Sequence, residues 1–306
     1  MIKMRIAQSV VARFRAWRPL RPIGPVSTPA PCMNCRYDKA ILLGTRIVPD
    51  FDVATAISSD LLAAFSERMD GICVRCGIYQ AYKRFTLEQL RVINSSGKDI
   101  TTSDTAFHEY PAPSEYVDGH NARYFATRTH KWKEYLRERG VRPSNALFLR
   151  PYFGAGAKFV RDEYGARVAG LDMSNVCLRT TQALVPAFEP LGGVINGMLD
   201  GDFLSSGPYD SVFVFHTLTH ACDVHDALAK IVSVLSRDGF AVFSHEVMRK
   251  PTNPFHMIHM SEIQLRSILM SHFSRVDRID ACDGCAYPFI TDFTAKGDNP
   301  DFVGWK

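Results

Sequence analysis

The chain predicts an α/β protein: a mostly parallel sheet with helices on both faces, preceded by a small cysteine-rich module. Three observations carry this expectation. From Asn145 onward, short apolar runs rich in β-branched and aromatic residues alternate with amphipathic segments, the pattern of right-handed βαβ units. Ahead of them stand two Cys-x-x-Cys pairs, a spacing that lets two thiolates of one tight turn reach a single metal ion. At the start of the alternating region, NALFLRPYFGAGAKFV (145–160) runs from an apolar strand through a Gly-x-Gly turn into a helix. α/β proteins hold nucleotides in that way.

At 306 residues the chain has room for two domains. With 46% hydrophobic and 22% charged residues, disordered and collagen-like classes are excluded. A net charge of +4 does not advertise nucleic-acid binding, which concentrates basic residues on one face. The basic residues gather at one end instead. Residues 1–37 contain Lys3, Arg5, Arg13, Arg15, Arg18, Arg21 and Arg36 and no acid. Ile6, Val10, Phe14 and Trp17 fall near one face of a helix there, and a Pro-rich linker follows. A targeting sequence has this composition, but a surface or docking helix accounts for it more simply. No apolar run reaches the roughly 18–20 residues that span a bilayer, and there is no signal-peptide pattern. A cytoplasmic protein is therefore expected.

In that compartment cysteines are kept reduced, so the first two pairs, Cys32/Cys35 and Cys73/Cys76, are expected to hold a structural zinc. Four thiolates close the tetrahedron and leave no position for water or substrate. The metal would supply folding energy to a segment with little core of its own; apart from DLLAAF and TLEQLRVI, few apolar periodicities occur before residue 95. Gly77, after the second pair, suits a knuckle turn that needs positive φ. A third pair, Cys282/Cys285, is read as local packing, with a redox or second metal role left open. Cys177 and Cys222 are read as packed thiols.

In the second half, ALFL, ARVAGLD, GGVING, DSVFVFHTL, GFAVFSHEV and SRVDRID read as strands. GAKFVRDEY, VCLRTTQALVPAF, VHDALAKIVSVL and SEIQLRSILMSHF read as helices; Ala227, Ile231, Val234 and Leu235 show the i, i+4, i+7, i+8 spacing of a helix on a sheet. Gly154 and Gly156 let the backbone approach a ligand at the carboxyl edge of the sheet. Asp172, sixteen residues beyond Gly156, ends the second strand where a carboxylate can accept from a ribose diol. After the third strand, Met198, Leu199 and Asp200 are placed to flank and read an adenine ring. The fourth strand leads to His216 and His220, and SRDGF reads as a turn into the fifth.

This order of loop, second-strand acid, third-strand acid, YDSVFVFHTLTH and SRDGF resembles a class I S-adenosylmethionine-dependent methyltransferase across about residues 120–280. CVRCGIYQAYKRFTLEQL resembles the N-terminal zinc-binding domain of bacterial sugar C-methyltransferases, and HMSEIQLRSIL resembles a later histidine-and-serine segment of that family. The resemblance implies a Rossmann-like methyltransferase sheet, with S-adenosylmethionine held by residues 150–156 (Arg150, Tyr152, Gly154 and Gly156) and by Asp172, Met173, Leu199, Asp200 and His216. The implied acceptor is a small molecule, in the sugar family a sugar or sugar nucleotide.

Two features depart from the family pattern. Arg150 stands at the acid of the glycine-loop motif and Tyr152 at its first glycine. The Glu-His and tyrosine of the sugar enzymes are also incomplete: with His259 matched, Ile258 and Glu262 stand at the other two. The bases that remain are His216, His220, His245, Glu246, His256 and His259, of which His216, His220 and His259 are the catalytic candidates. The expected organisation is a basic segment with linker over 1–30, a zinc-binding domain over 31–110 and a methyltransferase-like domain over 111–306. A degenerate, zinc-bearing scaffold is the alternative function. An NAD-dependent dehydrogenase fits less well, because it leaves the Leu-x-His strand and SRDGF without a role.

Overall fold

The structure is a computed structural model, and it describes residues 26–28, 30–43, 69–83, 118, 126–172, 175–191, 206–215, 217–221, 223–244, 257–279 and 301–306. The expected N-terminal helix, the GGVING strand and the DLLAAF and TLEQLRVI segments lie outside the described residues. So do Met173, Met198, Leu199, Asp200, His216, Cys222, His245, Glu246, His256, Cys282 and Cys285.

The larger sheet is Rossmann-like. Its strands are β5 (Asn145–Leu149), β6 (Arg167–Leu171), β7 (Glu189–Pro190), β8 (Tyr209–Phe215), β9 (Leu235–Ser244), β11 (Arg275–Ile279) and β12 (Asp301–Trp305), in the order β11-β12-β9-β8-β5-β6-β7. β5, β6, β7, β8 and β9 run parallel, and β12 lies antiparallel between β9 and β11. The chain moves outward from β5 to β7 and returns to place β8 beside β5. That reversal is the topological switch point where ligands of such sheets bind.

The near-continuous apolar runs follow from burial on both faces. Successive side chains alternate sides. Ala146 and Phe148 of β5, Phe213 and Phe215 of β8, and Phe240 and Val242 of β9 share one core. Leu147, Leu149, Val212, Val214, Ala241 and Phe243 share the other. Helices α1 (Ala126–Glu138), α2 (Ala155–Tyr164) and α3 (Asn175–Leu184) cover the first face through Trp132, Leu136, Ala157, Val160 and Leu178. Helices α4 (Val224–Val234) and α5 (Glu262–Met270) cover the second through Leu228, Ile231, Leu265, Ile268 and Leu269. Trp132 is fully buried, stacks on Phe215 with ring centroids 5.4 Å apart, and donates Nε1–H to Asp301 Oδ2 at 2.8 Å.

The smaller sheet is antiparallel: β1 (Val26–Ser27), β2 (Lys39–Leu43), β3 (Met69–Cys73), β4 (Tyr79–Lys83) and β10 (Ile258–His259). Its last strand comes from far down the chain, with Ile258 opposite Gln80 and His259 opposite Tyr79. Met33, Ile78 and Ala81 of this front module belong to the same apolar core as the second face of the large sheet.

One sequence expectation changes here. SRDGF, read as a turn, is the extended first half of β9, with Arg237 and Asp238 exposed. Helix α4 stops at Val234 and Leu235 is already extended, so the residues that reach the sheet are taken up by a register shift against β8 between Tyr209 and Ser211.

Candidate functional site

Two knuckles bring four sulfurs together. Cys32 and Cys35 lie in the turn before β2, while Cys73 ends β3 and Cys76 lies in the turn to β4. The turns are built alike. Arg36 N–H donates to Cys32 O at 3.0 Å and Gly77 N–H to Cys73 O at 2.9 Å; Arg36 and Gly77 are both left-handed, at φ 59 and 70. The four Sγ atoms lie within 4.8 Å of one another, with Cys32 to Cys76 and Cys35 to Cys73 each at 3.5 Å. A tetrahedral zinc with bonds of about 2.3 Å sets sulfurs about 3.8 Å apart, so the donor set fits that ion. Burial pushes the Cys32 thiol up. At Cys73 burial acts the same way, but N–H groups of Cys76 and Arg75 outweigh it and the thiol falls to about 7.

Loop 150–154 leaves β5 at the switch point. Arg150, Tyr152 and Gly154 alternate in the left-handed region at φ 61, 52 and 90. Such backbone costs a non-glycine residue on the order of 1–2 kcal/mol, so Arg150 and Tyr152 hold it only with support from their neighbours. The surroundings hold the loop. Arg150 N–H donates to Leu171 O at 2.8 Å, and Gly154 N–H to Pro151 O at 3.0 Å. Thr181 Oγ1 of α3 donates to Tyr152 O at 3.0 Å. A Cβ on Gly154 would stand 2.9 Å from Thr181 Cα, so the loop and α3 touch backbone to backbone. Asp172, buried at the end of β6, accepts from Tyr152 N–H at 3.3 Å. Gly156 is buried in the first turn of α2.

Arg150 and His220 meet across the crevice. Arg150 is 4% exposed, and its Nη1 stands 2.9 Å from Nε2 of His220. His220 ends the 3-10 turn Leu218–His220 that follows β8. A guanidinium only donates, so Nε2 accepts and the ring proton resides on Nδ1. The Arg150 guanidinium carbon also lies 4.8 Å from the Tyr152 ring centroid. His259 is set apart in β10, buried, with its ring edge-on to Tyr79 at 5.3 Å. The strand nonetheless touches the site's frame: Met257 N–H donates to Thr219 O at 2.6 Å, and Ala81 N–H to Met257 O at 2.9 Å.

The structure thus brings Arg150, Tyr152, Gly154, Asp172 and His220 to one edge of the sheet, and the four cysteines to another cluster. Sequence reasoning missed Thr181, whose place as the sixth residue of the predicted helix carried no chemical signal. It also missed the union of Arg150 with His220, residues seventy apart.

The larger sheet is Rossmann-like in its strand order. Residues 153–243, from the glycine loop through β9, match the family model described as a methyltransferase domain. No curated protein matches the chain in sequence. Among solved structures, the chain is similar to a protein of Nostoc punctiforme provisionally classed as an O-methyltransferase: 14% identity, TM-score 0.45, 65% of this chain and 61% of that one. It therefore spans less than two thirds of that protein's length. It is also similar to the 1,6-didemethyltoxoflavin N1-methyltransferase of Burkholderia thailandensis, solved with S-adenosylhomocysteine: 17% identity, TM-score 0.47, 79% of this chain and 96% of that one. An amino pentose methyltransferase of Micromonospora echinaspora is similar over 65% of this chain and 99% of its own, at 12% identity and TM-score 0.44.

Proposed function

We propose that the chain is an S-adenosylmethionine-dependent methyltransferase acting on a small-molecule acceptor, with a structural zinc in the Cys32, Cys35, Cys73, Cys76 cluster. The observation that carries this reading is the left-handed loop 150–154 at the switch point, followed by Asp172 at the end of the next strand, the loop leading into residues 153–243, which match a methyltransferase domain. The residues fit the cofactor. Gly154 has no side chain where one would strike α3, and α2 begins directly after it with its free N–H groups.

Bound S-adenosylmethionine supplies an already activated methyl group. The chain's own task is positional: aligning the acceptor in line with that group and, for a carbon or oxygen acceptor, removing a proton. Asp172 holds the ribose, Gly154 and Gly156 border the methionine end, and Asp200 or Leu199 reads the adenine. His220 offers Nδ1–H as a donor while Arg150 occupies Nε2, so it orients rather than abstracts in this arrangement. With His259 set apart against Tyr79 in the smaller sheet, His216 is then the candidate base. The front module's resemblance favours a sugar or sugar nucleotide as the acceptor.

Calorimetric titration of the zinc-loaded full chain with S-adenosylmethionine and S-adenosylhomocysteine tests the reading. Micromolar binding is expected, and Asp172→Ala should weaken it by about one to two orders of magnitude, the loss of hydrogen bonds to a charged acceptor. A folded parent that binds neither nucleoside overturns the proposal.

A further inference from the structure

Four thiolates outweigh the charge of one divalent ion, so the loaded cluster of Cys32, Cys35, Cys73 and Cys76 is a net anion. A buried anion needs hydrogen-bond donors around it. The backbone supplies several: N–H groups of Cys35 and Asn34 face Cys32, and those of Cys76 and Arg75 face Cys73. One buried side chain adds to them. Tyr82 of β4 is 1% exposed, and its hydroxyl makes no hydrogen bond among the described residues. A buried donor in that condition is costly. The strand is built to aim it. Lys83 lies opposite Met69 and Ala81 opposite Asp70, so Tyr82 between them is the extra residue of a bulge, a device that redirects a side chain. Its ring lies over Gly71 of β3, where a Cβ would stand 3.2 Å from Tyr82 Cε2, and Cys73 ends the same strand. Burial and the thiolates of Cys32, Cys73 and Cys76 push the phenol up, and Cys73 Sγ is the acceptor it faces.

We propose that Tyr82 donates its O–H in a hydrogen bond to the Cys73 thiolate of the metal-loaded cluster, so that β4 supports the site although it supplies no ligand. Tyr82 is a positioning residue: it holds the sulfur in place and draws electron density from it without touching the metal. The inference rests on the reading of the four cysteines as a zinc site and deepens it.

The test compares the full chain with Tyr82→Phe, which keeps the ring and removes the hydroxyl. Zinc affinity, from competition with a chromophoric chelator, should fall by about ten- to a hundredfold, the usual range for a lost partner of a metal ligand. In the cobalt-loaded variant the sulfur-to-metal charge-transfer band should move to lower energy, because a thiolate without its hydrogen bond gives up an electron more readily. Tyr79→Phe, which removes another buried hydroxyl from β4, should change neither. An unchanged affinity or an unmoved band in folded Tyr82→Phe overturns the proposal and leaves the zinc reading intact. Equal losses in the two variants also overturn it, since they would report a looser sheet. If Tyr82→Phe does not fold, the parent decides: loaded with a magnetically active cadmium isotope, its Tyr82 hydroxyl proton should couple to the metal through Cys73 Sγ, and absence of that coupling overturns the proposal. A full chain that binds neither zinc nor tetrahedral cobalt overturns the zinc reading and this proposal with it.

Discussion

Gly154 shows how one residue sets the spacing of the candidate site. Its φ of 90 and the 2.9 Å approach of a would-be Cβ to Thr181 Cα impose two separate penalties on any side chain. The nearest atom is backbone, so no rotamer change relieves the contact. Gly154→Ala should lower stability by roughly 1–3 kcal/mol, the range for strained backbone and overpacking. It should also push loop 150–154 away from α3, which weakens nucleoside binding further than stability alone accounts for. Urea unfolding at constant slope gives the first quantity and calorimetry the second. A variant with unchanged midpoint and affinity would show that α3 gives way freely. Arg150 and Tyr152 carry the same left-handed backbone without glycine's freedom; their hydrogen bonds to Leu171 and Thr181 keep them there.

At the scale of elements, α4 ties the front module to the large sheet through its cap. Asp223 accepts from His225 N–H and Asp226 N–H at the helix start, and also from Arg36 of the first knuckle at 2.6 Å. Burial pushes the Asp223 carboxyl up, but Arg36 and the two N–H groups more than offset this and hold it below its usual value of 3.8. A depressed carboxyl contributes stability above its unfolded value and loses it as pH falls through the lower, folded value. Asp223→Ala should therefore cost about 1 kcal/mol near neutrality and flatten the loss of stability below pH about 4. Denaturant midpoints at pH 3 and pH 7 for both proteins decide this; parallel pH curves would remove Asp223 as a source of acid sensitivity. Arg36 is more than half exposed, so added salt should reduce its share.

The same scale shows what the sequence made legible. β5, β6, β8 and β9 announced themselves because each contains an apolar run, while β11 shows only Val276 and Ile279 buried among charged neighbours. β12 did not, since DFVGW gains its meaning only between β9 and β11. β10 has two residues, and its pairing with β4 joins positions about 180 apart, a relation no local pattern encodes. α1 left a readable trace in Trp132, Tyr135 and Leu136 at i, i+3, i+4 that the alternating strands overshadowed. Of the candidate site, the cysteines were legible because spacing alone dictates a knuckle. Arg150 was legible only as a departure; its bond to His220 depends on where β8 returns beside β5.

Across the whole molecule, the cysteine cluster and the candidate nucleoside site are joined by a short series of contacts. Met33 N–H, inside the first knuckle, donates to Gln80 Oε1 at 2.8 Å in β4. Gln80 lies opposite Ile258, and neighbouring Met257 reaches Thr219, next to His220 and so to Arg150. In parallel, Gln264 Nε2 of α5 donates to Cys76 O at 3.1 Å, and His225 of α4 meets Asn34 O at 3.1 Å. An ion closing four thiolates would contribute a large part of what keeps the front strands folded, on the order of 10 kcal/mol. Stripping the metal should then free the knuckles, withdraw Met33, Ile78 and Ala81 from the shared core and loosen the turn that carries His220. The parallel sheet, with its own core of Phe148, Phe213 and Phe240, should survive as helical circular dichroism. Affinity for S-adenosylhomocysteine should fall by at least about tenfold. Because coupling between two ligands is reciprocal, saturating nucleoside should tighten zinc by the same factor, which competition with a chromophoric chelator measures independently. Metal-free protein that binds nucleoside undiminished would mean that the module only shields the sheet. A matched factor in both titrations would make the zinc knuckles a working part of the nucleoside site.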